Sequence, residues 1–122
     1  MIPMALNLLQ KNLIIIFALK KMLILNITTK VMHSIEQDWL QWMKSTWIKE
    51  MQDTGLFGEH RFCKLQGNDD EEGVMYVTQF HCDTLENYNT FLSEQDERLR
   101  SLGHQQFGNA FISFRTIMEI IH

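Results

Sequence analysis

Very little in this sequence breaks or staples a chain. One proline and six glycines among 122 residues leave no room for linkers or low-complexity stretches, and there is no internal repeat. Two cysteines, Cys63 and Cys82, are too few for a disulfide framework. Both lie inside strand-like segments, as small buried apolar residues do, which points to a reducing, cytoplasmic compartment. Basic residues are outnumbered, 11 Lys+Arg against 15 Asp+Glu for a net charge of -4, and no long basic run is available to neutralise phosphates. Nucleic acid is therefore not an expected partner. The apolar run Leu13–Leu19 has seven residues, whereas a spanning helix needs roughly 18 to 20, so no membrane is expected either. The sequence also lacks a serine, cysteine or lysine nucleophile set, a glycine-rich phosphate loop and a carboxylate pair at useful spacing.

What remains fits one domain, with 45% hydrophobic side chains and a single core. The first 21 residues stand apart. Lys20 and Lys21 follow the apolar run rather than precede it, and no small-residue cleavage site appears, so a secretory signal is not expected. Residues 1–21 read as an N-terminal extension outside the fold, from an upstream or misassigned start, with an amphipathic membrane-surface segment as the weaker alternative, and residues 22–122 as the domain. Setting aside Lys11, Lys20 and Lys21 leaves 8 basic against 15 acidic residues, a net charge of -7.

Periodicity gives the order of elements. From Met22 to Met32 the residues alternate, with Leu23, Leu25, Ile27, Thr29 and Val31 on one face and Ile24, Asn26, Thr28 and Lys30 on the other, which predicts a strand. Ser34 and Gln37 form a capping-box signature for a helix running to about Met51, and Gly55 closes it. Its apolar arc carries Ile35, Trp39, Leu40, Trp42, Met43, Trp47 and Met51. Two strand-like runs, 58–66 and 73–82, flank a polar loop ending in Gly73. Asp83 and Glu86 open a second helix that ends at Gly103 or continues to Phe107 and Gly108, and residues 110–121 alternate again. The order β-α-β-β-α-β is the split βαβ arrangement, an α+β sandwich in which a four-stranded antiparallel sheet carries two helices on one face.

The alternation also assigns faces. In the third strand Val74, Tyr76 and Phe80 point toward the helices, leaving Met75, Val77, Gln79 and His81 on the other side. In the fourth, the more apolar set Ile112, Phe114, Met118 and Ile120 is expected inward and Phe111, Ser113, Arg115, Ile117, Glu119 and Ile121 outward. The second face is then too apolar to be wholly wet, and a homodimer is expected through Ile24, Met75, Val77, Phe111, Ser113, Arg115, Ile117 and Glu119. Arg115 and Glu119 lie about 13 Å apart along the strand, too far to pair with each other, so each is expected to pair across the two-fold axis. Replacing Arg115 with alanine should then favour the monomer.

The pieces MLILNIT (22–28), WLQWMK (39–44), TGLF (54–57), FCKL (62–65) and FRTIMEI (114–120) resemble a family of roughly hundred-residue bacterial proteins known as a domain of unknown function. The resemblance covers residues 22–122. The fold is similar to the ferredoxin-like dimeric α/β-barrel superfamily, which includes cofactor-independent quinol-type monooxygenases, haem-degrading oxygenases and non-enzymatic ligand binders. In those relatives substrates bind between sheet and helices. The corresponding cleft here would be lined by Trp39, Met43, Trp47, Tyr76, Phe80 and Phe114, with Glu50 as a carboxylate beside it suited to accept a proton. The same side chains also suit a plain packed core. Asn26 is similar to a polar residue some of the oxygenases use, but by parity faces away from the helices. A haem would need an axial histidine facing the sheet, and His104 falls on the solvent side of the second helix.

No metal or other cofactor is expected. His60, Cys63, His81 and Cys82 are ligand types on neighbouring strands, but 60 and 63, like 81 and 82, have opposite parity. The acidic stretch 69–72 lacks the alternating ligands of a calcium loop and reads as a solvated turn. Two functional readings follow: a small homodimer that binds an apolar molecule or a protein partner, or a cofactor-independent monooxygenase acting on an electron-rich aromatic.

Overall fold

The computed structural model describes residues 7–11, 21–67 and 69–122. The apolar run Leu13–Leu19 and residue Asn68 of the polar loop lie outside the described residues. Four strands, β1 (Leu23–Met32), β2 (His60–Lys64), β3 (Gly73–Cys82) and β4 (Phe111–Glu119), form one antiparallel sheet in the order β2-β3-β1-β4. The long apolar and β-branched alternation of β1 places it in the middle, where both of its edges are hydrogen-bonded.

Helix α1 follows a 3-10 turn (His33–Ile35) and has three parts: α-helical Glu36–Trp42, π-helical Met43–Trp47 and α-helical Ile48–Asp53. The anticipated capping box does not form: Ser34 sits inside the 3-10 turn, and no side chain caps either helical start. Gly55 does take a positive φ, 72°, just past the helix, where glycine carries no Cβ penalty. The second helix is two, α2 (Leu85–Glu94) and α3 (Asp96–Phe107), broken at Gln95. Thr84, rather than Asp83, caps α2, its hydroxyl accepting from the Asn87 amide at 3.0 Å. At the β2–β3 connection, a Cβ on Gly73 would run into the Val31 carbonyl, so only glycine lets β3 begin against β1.

The core lies between the sheet and the helices. Leu23, Leu25, Ile27, Thr29 and Val31 of β1 and Val74, Tyr76, Thr78, Phe80 and Cys82 of β3 are all buried, facing Trp39, Met43, Trp47, Met51, Phe91 and Leu99. The Phe57 ring meets its neighbours tilted or edge-on, 5.6 Å from Phe80 and 5.0 Å from Phe91 between centroids.

The face assignment of β4 is corrected. The register pairs Leu23 with Glu119, Leu25 with Ile117, Ile27 with Arg115, Thr29 with Ser113 and Val31 with Phe111, and directly paired residues share a face. Phe111, Ser113, Arg115, Ile117 and Glu119 therefore point to the helix side. Ile112, Phe114, Thr116 and Met118 point to the open face with Ile24, Met75 and Val77. The inversion has a physical reason: the inward polar groups of β4 find partners, so they need no water on the far side, and the helices leave most of this edge strand uncovered.

Candidate ligand cleft

Because the helices centre on β1 and β3, a cleft of about 510 Å³ stays open beside the inner face of β4. Three tryptophans of α1, Trp39, Trp42 and Trp47, wall one side with Met43, and Leu99 and Gly103 of α3 come in from another. The chain has three tryptophans in all. In an uninterrupted helix of about 3.6 residues per turn, positions four apart precess round the axis. The wider turn of the π segment reverses that drift, which keeps Met43 and Trp47 buried below Trp39. Trp47 is locked there, its indole N–H donating to the Leu99 carbonyl at 2.9 Å. Gly103 brings α3 close to β4: a Cβ at that position would lie 3.0 Å from the Phe111 ring.

The other end of the cleft is polar. Arg115 Nη1 donates to Asp96 Oδ1 at 2.6 Å, and Arg100 Nε donates to the same oxygen at 3.0 Å. The break at Gln95 makes this possible, since it starts a new helix at Asp96 and leaves its carboxylate in the first turn, where free amides favour negative charge. The pair is largely shielded, with side-chain exposures of 18% for Arg115 and 13% for Asp96. Burial pulls the Arg115 pKa below its ordinary value, against the opposing pull of Asp96, yet a guanidinium stays charged at neutral pH. The guanidinium also lies 5.8 Å from the centre of the Phe91 ring. Thr29 and Ser113 hydroxyls share a hydrogen bond of 2.9 Å across β1 and β4. His104 is exposed at the rim, stacked on Phe111 at 5.1 Å, with Nδ1 3.1 Å from the Gly108 carbonyl.

The expected cleft residues divide. Trp39, Met43 and Trp47 line the cleft. Phe80 is fully buried in the core, and Tyr76 is buried too, its hydroxyl donating to Glu36 Oε2 at 2.6 Å; burial and that carboxylate push its pKa well up. Glu50 accepts from Arg98 at 2.9 Å, with 41% of its side chain exposed, away from the cleft. Phe114 faces the open side of the sheet. Arg115, expected at an intersubunit contact, is engaged by Asp96 of its own chain and lines the cleft with Phe111 and Ser113. Apolarity alone assigns the faces of β4 the wrong way round and so hides this polar lining. Ser113, Arg115 and Glu119 do form a polar period-two set in the sequence, but their partners across the fold are not readable from it.

Elsewhere, Cys63 is exposed on the open face, whereas Cys82 is buried and its thiol pKa is pushed up by burial. Asn26 accepts from Gln79 Nε2 at 3.0 Å on the open face. Among the described residues no three His, Cys, Asp or Glu side chains are grouped to hold a metal ion, and no helix is long and apolar enough to cross a membrane.

A four-stranded antiparallel sheet with helices on one side, in this order, defines a ferredoxin-like α+β domain. The chain belongs to the family described as a domain of unknown function (DUF4286), which it matches over residues 22–121. No curated protein matches it. Solved structures agree on the fold. A dimeric ferredoxin-like protein from an uncultured marine organism superimposes with a TM-score of 0.63 at 8% identity, covering 84% of this chain and 98% of that one. A dimeric ferredoxin-like protein of unknown function from Thermobifida fusca gives 0.56 at 10% identity over 82% and 92%. A mutant of SnoaB, a cofactor-independent oxygenase from Streptomyces nogalater, gives 0.53 at 13% identity over 82% and 94%.

Proposed function

We propose that the protein is a homodimeric ligand-binding domain of the bacterial cytoplasm, whose helix-side cleft takes a small, largely apolar molecule. Residues 22–122 are the folded unit in this reading and residues 1–21 an extension outside it. The observation that carries it is the cleft of about 510 Å³ beside β4, lined by Trp42 and Phe111 with Trp39 and Trp47 behind them and Arg115 at one end, a size and lining typical of small-molecule sites.

The dimer reading rests on the open face. Ile112 is 55% exposed, Phe114 61% and Met118 39%, a row along β4 in which Met118 pairs with Ile24 of β1, while Met75 and Val77 of β3 lie on the same face beyond Lys30 and Thr28. An exposed apolar row of this kind along an edge strand suits an interface, and the dimeric ferredoxin-like neighbours supply a precedent. Free thiols at Cys63 and Cys82 suit a reducing cytoplasm. Native mass spectrometry of the full chain tests both parts. A dimer carrying co-purified small-molecule mass is the expected result, and a monomer at micromolar concentration overturns the assembly. Phe114→Asp should raise the dimer Kd about a hundredfold, because it places an unpaired charge in the contact.

Likeness to a cofactor-independent oxygenase favours one second reading, an oxygenase that uses the same cleft for an electron-rich aromatic. Oxygen uptake with a quinol separates the two, since a pure binder consumes none.

A further inference from the structure

The charges around the cleft oppose those of the chain. The chain carries -4 overall, yet the residues lining the cleft include Arg100, His104 and Arg115 and no carboxylate. Asp96 is shared by two guanidinia, so the trio of Asp96, Arg100 and Arg115 carries one net positive charge. Arg115 also has capacity to spare. A guanidinium has five N–H donors, and among the described residues only Nη1 of Arg115 has a hydrogen-bond acceptor. Beside it the Ser113 and Thr29 hydroxyls can reorient toward a bound group, while the opposite wall is indole and thioether.

From this placement we propose that the ligand of the cleft is an amphipathic organic anion. Its ring-sized apolar body lies against the partly exposed Trp42 and Phe111, with Trp39 and Trp47 buried behind them, and one carboxylate or sulfonate head is held by Arg115. The assignment rests on the cleft being the ligand site and adds the charge of what enters it. A planar fork suits a carboxylate or sulfonate edge, and a charge-assisted hydrogen bond in a shielded site is stronger than one in water. Asp96 holds the guanidinium in position and competes with the incoming head for it.

Two fluorescent probes that differ only in charge test this: 8-anilinonaphthalene-1-sulfonate and the neutral N-phenyl-1-naphthylamine, each titrated into the full chain. The sulfonate is expected to bind at least tenfold more tightly. Arg115→Gln should weaken the sulfonate at least tenfold and leave the amine within twofold. Asp96→Asn should strengthen the sulfonate several-fold, since it frees the guanidinium, a gain that a purely structural ion pair would not give. Circular dichroism establishes that each variant is folded, and if Arg115→Gln is not, Asp96→Asn decides alone. Equal binding of both probes, unchanged in the folded variants, overturns the anion assignment and leaves an apolar site. Binding of neither probe overturns the cleft as a ligand site and this assignment with it.

Discussion

Strands β3 and β4 flank the same central strand and pair with it over nearly its whole length, but they end in opposite conditions. Every helix-facing residue of β3 is buried, and none of β4 is. β3 lies beneath both helical layers and between two strands, so its inward positions can hold only apolar or fully satisfied groups. Thr78 is its one inward residue with a polar side chain besides the Tyr76 hydroxyl, which has its carboxylate partner. β4 is an edge, half uncovered, and there the molecule can turn Ser113 and Arg115 inward while Ile112, Phe114 and Met118 face out. A small domain can thus bury one strand beside its central one completely and leave the other half uncovered.

Matched truncations sharpen that contrast most. Phe80→Ala on β3 empties a fully buried site against Trp47 and Phe57 and should cost about 3–5 kcal/mol in urea denaturation. Phe114→Ala on β4, measured at concentrations too low for association, should cost less than about 0.5 kcal/mol. Equal losses would break the comparison. Arg115→Ala comes next, at about 2 kcal/mol, because it strips a shielded carboxylate of its closest partner while Arg100 remains. The smallest effect belongs to the loop before β3. Asp70 is held down to about 2 by its hydrogen bond from Lys30, with help from the Gly73 and Glu72 amides. A carboxylate lowered from 3.8 stabilises the fold fully above about pH 4, and that contribution fades as pH falls toward 2. Asp70→Asn should therefore narrow the stability gap to wild type across that window, read from melting temperatures at successive pH values.

Where burial alone decides, the residues announce themselves: β1 and β3 alternate cleanly, and the element order follows. On β4 the same rule misleads, since the more apolar set looks outward. Nothing local in Arg115 or Ser113 reveals that Asp96 and Thr29 wait across the fold, because those partners are set by the break at Gln95 and by the strand register. Trp39, Met43 and Trp47 are readable as one stripe of α1, yet whether they enclose space or fill it depends on how far α3 reaches over β4. Tyr76 and Phe80 share the stripe's chemistry and fall on the filled side.

The π-helical stretch Met43–Trp47 gives α1 one residue more than a regular helix of its span would hold. A deletion within it would restore ordinary helical bonding and gain backbone stability, but would swing Trp47 away from the Leu99 carbonyl and the cleft wall. The wide turn is thus a standing trade, in which a length of less stable helix is kept in exchange for the aim of an indole, and its loss is the change by which a lineage could become sturdier and give up that wall of the cleft.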